Sequence, residues 1–308
     1  MSADLGLGLA AIGRPAYITL GRDADLPGDR SPAALEARAH ELLDTAVALG
    51  IRWFDTARSY GRAEQFLSTW LAAGRDAPGT VSSKWGYTYT AEDPAVDADE
   101  VKTHDLATFE RQWAETQALL GEHLRLYQVH SLTPDSPLFT DTALQRRMSQ
   151  RRADGSTSLG FSTSGPRQAE AVRRALELTV DGRPLFTAVQ STWNLLEPSV
   201  GPALAEAAEA GAFVLVKEGV ANGRLTDRGL PADSPVRAAA EAAGVGPDAV
   251  ALAAALAQPW AGVVLSGAVT PAQLRANAAA RGLDLPDLPD LAEEPETYWA
   301  TRSGLPWA

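Results

Sequence analysis

Four side chains able to move a proton onto a carbonyl oxygen stand at the far ends of three successive apolar runs. Asp55 and Tyr60 follow Ile51–Phe54, Lys84 closes on the strand Thr80–Trp85, and His130 follows Leu124–Val129. A phenol held beside an ammonium has its ionised form stabilised, so its pKa falls from about 10 toward a value useful for proton transfer. A carboxylate keeps the ammonium charged and in place, and an imidazole nearby can hydrogen-bond a carbonyl oxygen or share the proton. The set has no nucleophile and calls for no metal; it suits protonation of an oxyanion while another group delivers a hydride. A nicotinamide cofactor is the natural source. Taken singly, each residue has a plainer use: Asp55 as a loop cap, Tyr60 as packing, Lys84 in a rim salt bridge, His130 as a hydrogen-bonded strand-end histidine. Their order on consecutive strands carries the chemical reading.

The elements that must position them follow from hydrophobic spacing. Leu5–Ile12 is apolar and glycine-studded, a first buried strand. Gly6, Gly8 and Gly13 have the wrong spacing for a dinucleotide-binding turn, and no helix opens after them. Ser31-Pro32 is an N-cap followed by proline at the first helical position, and Leu35, Ala39, Leu42, Ala46 and Leu49 recur at helical spacing up to Gly50. Further strands are expected at 51–54, 80–85, 124–129, 157–162, 186–192, 212–216 and 262–265. Helices are expected after Glu64 and over 106–120, 140–152, 166–178, 203–210 and 247–257. The last helix opens Thr270-Pro271-Ala272-Gln273, a capping box. Eight strands alternating with helices over roughly 250 residues predict a closed (β/α)8 barrel, one domain spanning 1–308. An open doubly wound sheet would show a glycine-rich first turn.

Two connections are long, Gly13–Asp29 and Tyr87–Thr103. The second contains Pro94 and exceeds what packing needs, as lids and binding loops do. Trp85 and Tyr87 either line a pocket or pack under this loop. From Leu283 the tail is acidic and proline-rich yet carries Tyr298, Trp299 and Trp307, aromatics expected to pack on the barrel.

Composition narrows the partners. The 308 residues are 45% hydrophobic and 21% charged, with a formal net charge of −12. No Lys/Arg-rich run appears, which argues against nucleic acid or an anionic membrane. There is no cysteine, so disulfides, thiol nucleophiles and thiolate metal sites are excluded. His40, His104, His123 and His130 show no ligand spacing, and no metal site is expected. No apolar stretch reaches the roughly 20 residues of a membrane span and no signal segment opens the chain, so the expected location is the cytoplasm.

Taken together, these residues resemble the aldo-keto reductase superfamily over nearly the whole chain. The marks are Phe54-Asp55-Thr56-Ala57 with Tyr60-Gly61 and Glu64, Ser83-Lys84, Tyr127-Gln128-Val129-His130, Leu159-Gly160-Phe161-Ser162, Gln190 with Asn194, Gly223-Arg224-Leu225-Thr226, and Ser266-Gly267-Ala268 with Asn277. The long Gly13–Asp29 insert is more similar to the potassium-channel β-subunit and sugar-dehydrogenase side of the superfamily. The resemblance implies Tyr60 as general acid, Lys84 and Asp55 as its tuners, and His130 as the group orienting the carbonyl. It implies NADP(H) lying across the barrel mouth, with a small carbonyl or sugar substrate. Ser162 and Gln190 match positions that hold the cofactor carboxamide, although Thr163 stands where asparagine is usual. Lys217 lies where an aromatic normally stacks on the nicotinamide, leaving Trp193 or the Lys217 stem to cover the ring. Gly267, Ala268 and the amides opening the last helix could hold phosphate, and Asn277 belongs to the same motif. Gln273 replaces the arginine that many relatives place on the 2′-phosphate, with Arg275 and Arg281 as distant substitutes, so NAD(H) stays an alternative. Two function classes follow: a carbonyl reductase or lactol dehydrogenase, and a nucleotide-binding sensor with little turnover.

Overall fold

Apolar β-favouring runs separated by amphipathic helical spacing build a closed eight-stranded parallel barrel. The computed structural model describes residues 3–14, 17–26, 28–74, 79–89, 100–151 and 155–306. The strands are β1 (Asp4–Gly8), β2 (Trp53–Asp55), β3 (Thr80–Trp85), β4 (Leu124–Leu132), β5 (Ser158–Thr163), β6 (Ala188–Thr192), β7 (Phe213–Lys217) and β8 (Val263–Ser266). Each pairs in parallel with the next, and β8 closes on β1 through Asp4–Val263 to Leu7–Ser266. The helix following each strand is, in turn, α1 (Pro32–Ala48), α2 (Ala63–Ala72), α3 (Leu106–Leu120), α4 (Thr142–Arg151), α5 (Gln168–Leu176), α6 (Gly201–Glu209), α7 (Pro247–Leu256) and α8 (Pro271–Ala278).

The two-residue period of the strands sorts their side chains. Phe54, Val81, Tyr127, Val129, Val189, Val214 and Val264 join the large cluster beneath the helices, as their neighbours on the same strands do not. Leu126, Ala188, Leu215, Val263 and Leu265 form a second cluster inside the barrel, closed off by Trp53 stacked on Phe213 at 5.0 Å. Two residues further along the same parity come Asp55, Gln128 and Gln190, and then His130 and Lys217. The interior is therefore an apolar plug at one end and polar at the carboxyl ends of the strands.

Most element boundaries agree with the sequence pattern, and Ser31 and Thr270 cap α1 and α8 through their hydroxyl oxygens. β1 is shorter than expected, because the chain turns from Ala10 and Gly13 donates back to the Leu9 carbonyl. The connection after β3 is not simply loop: Tyr87–Tyr89 and Glu100–Lys102 pair as an antiparallel hairpin. Residues 90–99, with Pro94, and Trp307 lie outside the described residues. A further helix over Pro235–Ala243, which buries Val236, Ala239 and Ala240, precedes α7. In the tail, helix Pro295–Ser303 buries Tyr298 and Trp299. Among the described residues no single helix is long and apolar enough to cross a membrane.

One backbone contact decides where Tyr60 sits. Arg62 N donates to the Gly13 carbonyl at 2.9 Å, and a Cβ on Gly13 would lie 2.4 Å from Ala63 Cβ and 2.5 Å from the Tyr60 carbonyl. Gly13→Ala is expected to lower the unfolding free energy by about 1–3 kcal/mol through overpacking. Gly267→Ala, whose Cβ would meet nothing within 4 Å, should stay within about 0.5 kcal/mol. Urea denaturation of the two variants checks the contrast.

Candidate active site

Asp55, the last residue of β2, is 2% exposed and accepts from four side chains. Lys84 Nζ pairs with Oδ2, while Ser82 Oγ donates to Oδ1 at 2.7 Å, Gln190 Nε2 at 3.1 Å and Gln128 Nε2 at 3.2 Å. Strands β2, β3, β4 and β6 are thus joined at one carboxylate. Lys84 is fully buried and donates also to the Thr56 carbonyl at 3.1 Å. Burial pulls its ammonium below the ordinary lysine range, and Asp55 works against that to keep it charged.

Tyr60 lies over this pair, with Lys84 Nζ 4.8 Å from its ring centroid. The Arg14 guanidinium also stands 4.8 Å from the same centroid. The His130 ring meets Tyr60 edge-on at 5.4 Å and Tyr87 at 5.0 Å. The structure brings the four sequence-derived positions together at the carboxyl ends of β2, β3 and β4. Burial, and then the charges of Lys84, Arg14 and Lys217, hold His130 well below the usual imidazole range, so it is neutral near pH 7. Arg14 Nη2 donates to Ser59 Oγ at 3.4 Å, and the same hydroxyl lies 3.3 Å from His130 Nδ1, which ties the imidazole to the loop before Tyr60. His104 Nε2 donates to the His130 carbonyl at 2.8 Å and steadies its backbone. Sequence reasoning missed Arg14, Ser59 and His104; adjacency to Gly13 and Tyr60 was the signal available for the first two.

A cavity of about 620 Å³ opens above Tyr60 and runs past the ends of β7 and β8. Tyr87, His130, Gln190, Lys217, Gly267, Ala268, Gln273 and Asn277 line it. Gln190 spends its amide nitrogen on Asp55, and its carbonyl oxygen accepts nothing from the described residues. Ser162 is not brought to the cavity: fully buried, it accepts the Ser131 amide at 2.9 Å. Trp193 packs edge-on against Trp260 at 5.9 Å, away from the cavity, and Trp85 packs on Phe109 at 5.0 Å in the core. Several amides at the start of α8 and before it are engaged: Ala268 N on Ser266 Oγ, Val269 N on Gln273 Oε1 and Gln273 N on Thr270 Oγ1. Gln273 is therefore a capping residue. Arg275 is exposed, and Arg281 pairs with Asp4 at 2.7 Å. Asn277 fits between Ser266 and Asp248, its nitrogen 2.9 Å from Asp248 Oδ2 in the amide orientation that satisfies both ends.

The mouth is bordered by loops tied to one another. Arg228 clasps Asp25 at 2.5 and 2.6 Å, and Asn222 Nδ2 donates to the Ile18 carbonyl at 2.9 Å, joining the connection after β1 to that after β7. From the tail, Arg302 reaches the cavity. The volume, the bare backbone at Gly267 and the unengaged Gln190 carbonyl suit an extended dinucleotide with its polar ring at the Tyr60 end. Among the described residues no group of His, Cys, Asp or Glu is placed to hold a metal.

Residues 27–288 match the model of the family described as the Aldo/keto reductase family. Among solved structures, the glycerol dehydrogenase AKR11B4 from Gluconobacter oxydans superposes with a TM-score of 0.68 at 22% identity, covering 92% of this chain and 87% of that one. The holo form of the aldo-keto reductase AKR11C1 from Bacillus halodurans superposes with a TM-score of 0.67 at 19% identity, covering 98% and 92%. At such identities the likeness is one of fold. No curated protein matches the sequence.

The buried pair at the base of the site makes a sharp energetic demand. Lys84→Met strands the Asp55 charge and is expected to cost about 3–5 kcal/mol of stability. Adding Asp55→Asn should recover a large part of that loss, a coupling of about 1–3 kcal/mol in a double-mutant cycle read by urea denaturation. Additive losses would show that the pair does not act as a unit.

Proposed function

Since the chain belongs to the aldo/keto reductase family, an oxidoreductase family, we propose that it reduces an aldehyde or ketone to an alcohol, or oxidises a sugar lactol, using NADP(H) with Tyr60 as general acid and base. The observation that supports this best is the packing of the Tyr60 phenol between a buried ammonium, a guanidinium and a neutral imidazole at the floor of the cavity. The bound dinucleotide supplies a hydride to the carbonyl carbon. His130 donates from Nε2 to the carbonyl oxygen and orients it. Tyr60 gives that oxygen its proton, and Lys84 stabilises the phenolate left behind. Asp55 keeps Lys84 charged and in place.

The other residues would hold the dinucleotide. The Gln190 carbonyl oxygen would accept from the carboxamide, a role for which Ser162 is too deep, and the stem of Lys217 would cover the ring. Gly267, Ala268, Gln273 and Asn277 would border the adenosine end. With Gln273 spent on the cap and Arg281 on Asp4, NAD(H) is the alternative to NADP(H).

The protein is expected to oxidise NADPH or NADH in the presence of 4-nitrobenzaldehyde. Tyr60→Phe should lower kcat by about 10²–10⁴-fold, the range of a positioned general acid. Titration against tryptophan fluorescence should show dinucleotide affinity within about threefold of wild type, because the phenol makes no dinucleotide contact in this reading. Binding without turnover across a broad carbonyl panel would instead identify a nucleotide sensor.

A further inference from the structure

Where β7 ends, Lys217 and Glu218 meet Arg302, which arrives from the terminal helix 84 residues after Glu218 in the chain. Glu218 has a left-handed backbone, φ 57°, which a non-glycine residue keeps only when its surroundings hold it there. They do. Arg302 Nε and Nη2 clasp its carboxylate at 2.9 and 2.5 Å, and Thr192 Oγ1 donates to Oε2 at 3.2 Å. Lys217 Nζ in turn donates to Thr192 Oγ1 at 2.6 Å and lies 3.7 Å from Glu218 Oε1. Burial alone would raise the Glu218 carboxyl, but Arg302 and Lys217 bring it down to about 2, so it is ionised.

The charge count is uneven. Among the described residues the ion pairs of Lys217 and Arg302 both end on Glu218, two cations on one carboxylate. Arg302 Nη1 has no protein acceptor among the described residues, and the Lys217 ammonium has donors left after Thr192. Both side chains line the cavity that holds Tyr60 and His130. The Lys217 charge acts on His130 and is itself repelled by Lys84, so it stands near the reacting end.

We propose that Lys217 and Arg302 bind a carboxylate carried by the carbonyl substrate, so that the enzyme prefers oxo acids and acidic aldehydes over neutral ones. This rests on the reductase reading. Glu218 is the positioning residue: it aims both cations and partly neutralises them, which keeps the neutral alcohol and carbonyl ends from being held there. The substrate carboxylate would take donors that the protein leaves unused, and such charge-assisted bonds are stronger than neutral ones. The tail thereby enters specificity.

The test compares 4-carboxybenzaldehyde with methyl 4-formylbenzoate, which keeps the ring and carbonyl but lacks the charge. The expected acid-to-ester ratio of kcat/KM in the unaltered protein is about tenfold or more, the effect of one charge-assisted hydrogen bond. Lys217→Met should bring that ratio close to one, and Lys217→Arg should retain most of it. A ratio near one in the unaltered protein overturns the proposal and leaves the reductase reading standing, because turnover of the ester reports that reading separately. An equal loss on both substrates in Lys217→Met, with weakened dinucleotide binding, also overturns it and gives the cations to the dinucleotide phosphates. Equilibrium binding of 4-(hydroxymethyl)benzoate and its methyl ester, read by tryptophan fluorescence, decides the matter without turnover. The acid should bind about tenfold more tightly, and equal affinity contradicts the proposal.

Discussion

The ion pair between Lys84 and Asp55 is the constraint on which the rest of the site depends. Both side chains are out of water, and removing two charges from solvent is expensive unless every remaining lone pair finds a donor. Asp55 meets that condition with Ser82, Gln128 and Gln190, each from a different strand. The pair therefore fixes the relative heights of four strand ends, and it does so at the point where the apolar plug of the barrel stops. Tyr60, placed by the Gly13 contact, has a buried ammonium under its ring as a result.

Strain gathers around this point. Of the five non-glycine residues with positive φ among the described residues, Ser131 lies near the end of β4, and Glu218, Ala221 and Asn222 follow β7, all at the mouth. Their hydrogen bonds account for their persistence: Ser131 N on Ser162 Oγ, Glu218 in the clasp of Arg302, Asn222 Nδ2 on the Ile18 carbonyl. Such conformations recur where a backbone must aim a side chain rather than continue an element. Here the aimed groups are His130 and Lys217, which precede Ser131 and Glu218. Rigid strands set the positions of the chemistry, and over-determined turns set its direction.

Much of this was legible in the sequence, for physical reasons that also mark where legibility stops. The barrel follows from strand and helix periods, which are local, and residues at strand ends inherit their place from the topology; hence Asp55, Tyr60, Lys84 and His130 could be named in advance. Side-chain commitments are not local. Ser162 matched a motif position, but the left-handed turn at Ser131 brings an amide onto its hydroxyl. The Ala268 amide has the position to hold phosphate, but Ser266 takes it, and Gln273 turns its side chain onto the Val269 amide. Arg14 and Arg302 were invisible because nothing in the spacing of an irregular loop or a terminal helix tells which cation turns inward. Lys217 stood out as an unexpected residue, and only its neighbours Thr192, Glu218 and Arg302 make sense of it.

The most direct measurement is a crystal structure of the protein with NADP(H) or NAD(H) and an unreactive carbonyl analogue. The account predicts the carbonyl oxygen within about 2.6–3.2 Å of both the Tyr60 hydroxyl and His130 Nε2, with Lys84 still on Asp55. A carbonyl bound elsewhere in the cavity, or a Lys84 turned away from Tyr60, would contradict it.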